Sequence, residues 1–151
     1  MDDLVKRNPL NPLIRPEDLV SYHPEMKVEC VLNPGVFEFD GKVYLVVRVA
    51  ERPVQEEGKI TIPMMDNGKI KFISFDHQDP LLDISDPREP RYKGETYLST
   101  ISHLRILCSE DGNSFKDAGL PDLHGSGSLE SYGIEDCRVT KMQDDSFILT
   151  Y

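Results

Sequence analysis

Residues 36–49, VFEFDGKVYLVVRV, place two strand-like runs on either side of Asp40-Gly41. β-Branched and aromatic side chains suit a pleated strand, and Asp-Gly supplies a two-residue turn, so the stretch reads as strand, tight turn, strand. The pattern returns along the chain. Residues 59–65 and 69–75 flank Asp66-Asn67-Gly68, residues 104–109 run into Glu110-Asp111-Gly112, and residues 134–142 and 146–151 flank Gln143-Asp144-Asp145. With four hairpin-like units in series and no helical periodicity beyond a weak candidate at residues 16–21, where proline suits a first helical turn, the chain is predicted to be all-β. Serial hairpins fit a sandwich, a barrel or a propeller, and periodicity alone does not choose among them. The echo between Asp111-Gly112-Asn113-Ser114-Phe115 and Asp145-Ser146-Phe147 points to a repeated sheet unit.

Proline- and charge-rich stretches at residues 52–58, 79–94 and 119–131 read as surface connectors. Within the last, His124-Gly125-Ser126-Gly127-Ser128 lacks the strand-then-helix context of a phosphate cradle and reads as a flexible linker. The final run, residues 147–151, reads as an apolar strand on an open edge. Such edges recruit another strand, so self-association through sheet edges, or continuation into a longer protein, is expected.

A chain of 151 residues suits one domain, and 38% hydrophobic with 29% charged residues is incompatible with wholesale disorder. The 17 Lys and Arg against 27 Asp and Glu give a net charge of −10, which opposes attraction to phosphate backbones and anionic lipid. Nucleic acid and membrane are therefore not expected partners. Acidic Met1-Asp2-Asp3 and prolines at 9, 12 and 16 do not resemble a signal peptide, and no stretch is long and apolar enough to span a bilayer. Cys30, Cys108 and Cys137 form no CxxC pair, which argues against a disulfide framework or zinc site and for a reducing, cytoplasmic setting. No metal is expected.

Chemistry concentrates in residues 132–140, YGIEDCRVT, where Glu135, Asp136 and Arg138 interrupt an apolar stretch read as strand. Ionised groups there need partners, substrate or water. Strand alternation puts Glu135 and Asp136 on opposite faces and Asp136 with Arg138 on one. The pair reads either as a carboxylate tuned by a nearby cation or as a structural ion pair. Asn33-Pro34-Gly35 is a turn by composition. Arg48 interrupts the apolar run 43–50 and cannot shed its charge when buried. It must bind an anionic or polyhydroxylated ligand, or pair with a carboxylate such as Glu51 or Asp136. His23, His77, His103 and His124 share no metal-ligand spacing and are by default surface or satisfied side chains. Of these, His103, beside Ser102 and two before Arg105, is best placed to matter. The polar groups of residues 132–140, of Asn33-Pro34-Gly35 and of the strand ending at residues 44–52 are expected to converge on one cleft.

Several segments together resemble glycoside hydrolase family 130, the β-mannoside phosphorylases and related β-mannosidases. They are Asn8-Pro9-Leu10-Asn11-Pro12-Leu13-Ile14 with Pro16-Glu17-Asp18; Asn33-Pro34-Gly35 followed fifteen residues after Asn33 by Arg48; Ser102-His103-Leu104-Arg105 with Ser109-Glu110-Asp111-Gly112-Asn113-Ser114-Phe115; and Gly133-Ile134-Glu135-Asp136-Cys137-Arg138-Val139-Thr140, which is similar to the signature G-[IV]-E-D-P-R-[IV]-T. The resemblance implies a five-bladed β-propeller with a central pocket, and inverting cleavage of a β-mannosidic bond by phosphorolysis or hydrolysis. Asp136 matches the general acid, which protonates the leaving oxygen through a sugar hydroxyl while inorganic phosphate attacks the anomeric carbon. Phosphate is already the nucleophile, so neither a protein base nor another cofactor is implied. Asn33 and Arg48 match positions that hold the mannosyl unit. Glu135, Arg138, His103 and Arg105 lie in the matching motifs and are expected to bind substrate as well, a β-mannoside oligosaccharide.

Cys137 departs from the signature's proline. The family's domain is longer than this chain, and its phosphate-binding basic residues lie mostly beyond the position of Tyr151. Residues 1–151 are accordingly expected to be the N-terminal portion of a single propeller domain, about two blades. The alternatives are a non-catalytic sugar-binding or assembly module that keeps Asn33 and Arg48, and a self-contained small β-domain.

Overall fold

Asp40 and Gly41 take φ of +48° and +69° and close the hairpin between β1 (Met26–Phe39) and β2 (Lys42–Pro53) in the computed structural model, which describes residues 8–151. Two positive angles in succession are what a tight turn between right-twisting strands requires. The leader reading on Met1-Asp2-Asp3 lies outside the described residues. Asn67 and Gly68, at +50° and +72°, close a second hairpin, β3 (Lys59–Asp66) with β4 (Lys69–Asp76). There follow β5 (Leu82–Asp83), β6 (Arg91–Tyr92), β7 (Glu95–Thr96), β8 (Ile101–Ser109), β9 (Lys116–Asp117), β10 (Arg138–Lys141) and β11 (Phe147–Thr150). Helix among the described residues is confined to single 3-10 turns at Pro16–Asp18 and Ser128–Glu130. The first falls within the weak helix candidate and stops early, because Leu19 is already extended.

Strands β1, β2, β8 and β9 form one antiparallel sheet in that order, a four-stranded unit of the kind from which propeller blades are built. Directly opposed residues of neighbouring strands share a face. Val46, Arg48 and Ala50 therefore lie with Ile106, Leu104 and Ser102, while Val47, Val49 and Glu51 lie with Arg105, His103 and Ile101. The first face is covered by Ile134, Cys137, Val139 and Leu149, brought by the β10–β11 hairpin and the loop before it. The second is covered by Ile14 and Leu19 of the N-terminal arm and by Phe115. Burial on both faces explains the nearly continuous apolar run of β2, and each such side chain contributes roughly 1.5–3 kcal/mol. Met26, Met65 and Ile101, with Ile70 and Phe72, fasten the β3–β4 hairpin to the end of this sheet.

Two local expectations are corrected. The strand predicted from residue 134 begins only at Arg138, because Gly133 and Asp136 take φ of +90° and +49°, which no extended strand admits. The stretch 124–128 is no free linker: the amides of Ser126 and Gly127 donate to Oε2 of Glu130 at 2.7 and 3.3 Å. Among the described residues no helix is long and apolar enough to cross a membrane.

Candidate active site

The ladder of β1 breaks between Leu32 and Gly35. Asn33-Pro34-Gly35 is thus a bulge inside a strand, not a free turn, with Asn33 at φ +20°. Bulges re-aim a side chain, and this one directs the Asn33 amide to the loop before β10, where Nδ2 donates to Oδ1 of Asp136 at 3.0 Å. Gly35 permits that approach, since a Cβ there would lie 3.0 Å from the Cys137 carbonyl oxygen and from Val139 Cγ2. On the other side, Gly133 docks the loop onto β8: Ser102 N–H donates to the Tyr132 carbonyl at 3.0 Å, and Ile134 N–H to the Ser102 carbonyl at 3.1 Å.

Arg48 meets the loop from β2. Its Nη1 donates to Asp136 Oδ1 at 2.9 Å, Nη2 to Glu135 Oε1 at 2.6 Å, and Nε to Ser102 Oγ at 3.2 Å; Ser102 Oγ also lies 3.2 Å from Glu135 Oε1, to which it donates. The guanidinium side chain is 18% exposed against 46% and 50% for the two carboxylates, so the cation is the more deeply placed partner and the acids face solvent. Hydrogen bonds from Asn33 and then Arg48, with the charges of Arg48 and Arg138, hold the Asp136 carboxyl below the usual carboxylate range. In the free site it is ionised at neutral pH.

Asn33, Arg48, Glu135 and Asp136 therefore come together. Strand alternation misplaced Glu135 and Asp136, because the positive φ of Asp136 sends both acids to one arginine. Arg138 folds back, donating from Nη1 to the carbonyls of Asp136 and Cys137 at 3.1 and 3.0 Å, and so clips the loop's backbone. Cys137, where the signature has proline, is fully buried against Val46, Leu104 and Ile134, and burial pushes its thiol up. Ser102 was missed as a site residue. The signal was its register opposite Ala50, one pair along from Arg48.

His103 and Arg105 are not in this site. Their odd numbers on β8 turn them to the opposite face, where both are buried. There Arg105 donates from Nε and Nη2 to Asp122 at 2.8–3.2 Å and from Nη1 to the Val20 carbonyl at 2.8 Å, while His103 Nε2 lies 3.3 Å from Asp122 Oδ2. Glu51 shares this face, so it is not Arg48's partner. It accepts from Ser21 Oγ at 2.6 Å and Tyr22 N–H at 2.8 Å, pinning the N-terminal arm. His124 is half-buried, stacked on His103 at a centroid distance of 5.0 Å and tilted against Tyr22 at 4.0 Å.

This second cluster fixes an acid response. Burial, then the charge of His103, lowers the His124 pKa from its ordinary 6.5. Burial raises that of Asp122, but the adjacent His103 imidazole and the hydrogen bonds and charge of Arg105 outweigh it and hold the carboxyl well below its ordinary 3.8. In both cases the unfolded chain binds the proton more readily, so stability rises with pH. The melting temperature is expected to hold above pH 6.5, fall as His124 is forced to charge below it, and fall again below 3.8 as Asp122 protonates. Thermal melts across pH check this, and His124→Gln should abolish the first step alone.

Among the described residues no group of three His, Cys, Asp or Glu is placed to hold a metal ion. What the fold and site define is an all-β sheet assembly in which an arginine and an asparagine clamp a half-exposed carboxylate. No family model matches the chain. It is 39% identical over 141 residues to a β-1,2-mannobiose phosphorylase of Listeria innocua serovar 6a, covering 89% of this chain and 40% of that relative. It also superposes on the solved complex of β-1,2-mannobiose phosphorylase from Listeria innocua with β-1,2-mannobiose, with a TM-score of 0.83 and 36% identity over 91% of this chain and 41% of that one. The chain is a homologue of this β-1,2-mannobiose phosphorylase, a glycoside hydrolase family 130 enzyme, and spans about two fifths of its length. The β1-β2-β8-β9 sheet and the β10–β11 hairpin fit a partial propeller of the five-bladed kind that this structural match points to.

Proposed function

We propose that this site holds the mannosyl unit of a β-mannoside and that Asp136 is the general acid of an inverting phosphorolysis. The observation that carries the proposal is that Asn33 Nδ2 and Arg48 Nη1, from separate strands, both donate to the same oxygen of Asp136. Sugar hydroxyls entering between these donors and the carboxylate replace those hydrogen bonds. They also separate Asp136 from Arg48, which permits the carboxyl to take the proton it must donate. A hydrogen phosphate oxygen then attacks the anomeric carbon as the glycosidic C–O bond breaks. Asp136 passes its proton through a sugar hydroxyl to the departing oxygen, and the proton of hydrogen phosphate restores the acid. Mannose 1-phosphate and the shortened sugar leave, and phosphate is the co-substrate, with no other cofactor.

The relatives are phosphorylases, which favours phosphate over water as acceptor. A reducing compartment suits the three unpaired cysteines. The proposed self-association rests on β1 and β11, each at the edge of its sheet. A second reading, which the donation of Asn33 and Arg48 to a shared carboxylate oxygen equally supports, is a sugar-binding module without turnover. Incubating the purified chain with β-1,2-mannobiose, with and without inorganic phosphate, separates the readings. Mannose 1-phosphate formed only with phosphate is the expected result; free mannose formed equally without phosphate overturns it in favour of hydrolysis, and calorimetric binding with no product favours the module.

A further inference from the structure

We infer that Glu135 and Ser102 are positioning residues that divide the Arg48 guanidinium between two carboxylates, so that Asp136 is never its sole ion-pair partner. The inference deepens, and rests on, the reading of Asp136 as proton donor. Neither residue needs to touch the sugar for this role.

The geometry is consistent proton by proton. Ser102 has one O–H, given to Glu135, which leaves its oxygen lone pairs to accept Arg48 Nε–H; both contacts are 3.2 Å. The hydroxyl cannot wander. Ser102 is 3% exposed, and its own N–H and carbonyl are both bonded to the loop that carries the acids. Arg48 is thereby rotated so that its shortest contact, 2.6 Å, falls on Glu135 and the longer, 2.9 Å, on Asp136.

A guanidinium holds its charge at any working pH, so its field at Asp136 always opposes protonation. The charges shown to act on Asp136 are those of Arg48 from β2 and Arg138 from the start of β10, and Glu135, the next residue in the loop, shares Arg48 with it. Glu135 is the one anion of the three. It engages half of the Arg48 fork and adds its own negative charge, and both effects favour the protonated form of Asp136. Deleting its charge should leave Asp136 facing two cations unopposed.

The test is the titration of the Asp136 side-chain carboxyl ¹³C resonance in the intact chain, for wild type, Glu135→Gln, Glu135→Asp and Ser102→Ala. Glu135→Gln should lower the Asp136 pKa by about half a unit or more, the size expected for losing a like charge at a half-exposed site. Glu135→Asp should recover part of the difference, and Ser102→Ala should move the Arg48 Nε–H resonance toward its solvent-exposed value. An unchanged or raised Asp136 pKa in Glu135→Gln overturns the inference, and that variant decides it even if Ser102→Ala does not fold. The readout is independent of turnover. Should Asp136→Asn keep full activity, the functional proposal falls while the titration still reports the charge division; an unmoved titration beside an inactive Asp136→Asn removes only this inference.

Discussion

Gly133→Ala is expected to collapse the loop that carries Glu135 and Asp136 and to cost the fold about 4 kcal/mol or more. A Cβ at position 133 would sit 1.7 Å from the Ser102 carbonyl oxygen, 2.7 Å from its carbon and 2.9 Å from its nitrogen. All three atoms are backbone of a buried strand, so no side-chain rotation relieves the clash. The φ of +90° is itself strained for any residue with a Cβ. Moving the loop away breaks the two hydrogen bonds between it and Ser102, each worth about 0.5–1.5 kcal/mol, and draws Ile134 and Cys137 out of the core. For a chain of this size the melting temperature should drop by about 10 °C or more. Gly41→Ala is the matched control. Gly41 also has positive φ, +69°, but a Cβ there meets nothing within 4 Å, so only the strain of roughly 1 kcal/mol remains. Comparable melting temperatures for the two variants would show that the docking of Gly133 on Ser102 is not what holds the site.

The hairpins at Asp40-Gly41 and Asn67-Gly68 were legible because a tight turn is decided by the two residues that form it. The partnership of β2 with β8 was not. Those strands are separated by the whole of β3 to β7, and nothing in either strand names its distant neighbour. Residues 134–137 read as strand because their apolar content resembles one, whereas their conformation is imposed by Gly133 closing on Ser102, a contact between distant segments. Arg48 announced itself, since a permanent cation in an apolar run must have partners, and the alternative partner Glu51 is excluded by strand parity on β2. The same parity separates Ser102 from His103 and Arg105, so their motif supplies one residue to the site and two to the opposite core. His124 was hidden by the Gly and Ser around it, because packing against His103 and Tyr22 leaves no local trace.

Asp136→Asn is expected to lower phosphate-dependent turnover of β-1,2-mannobiose by about 10²–10⁴-fold, the usual contribution of a positioned acid, with the melting temperature little changed. The variant is well matched to the site. Position 136 has φ +49°, a region asparagine enters more readily than most residues with a Cβ, so the loop keeps its shape where alanine would add strain. The carboxamide oxygen can still accept from Asn33 and Arg48, and Arg48 retains Glu135 and Ser102 to satisfy its charge. What is lost is the proton. The deficit should therefore depend on the leaving group: a β-mannoside carrying a nitrophenolate departs without protonation, so its phosphorolysis by the variant should fall much less than that of the disaccharide. Equal losses on both substrates would mark a disturbed site instead of a missing acid. Turnover of β-1,2-mannobiose near the wild-type rate would remove Asp136 from the chemistry altogether. Steady-state kcat for both substrates at saturating phosphate distinguishes these outcomes, because proton donation acts on bond cleavage whereas a damaged mannosyl clamp acts first on KM.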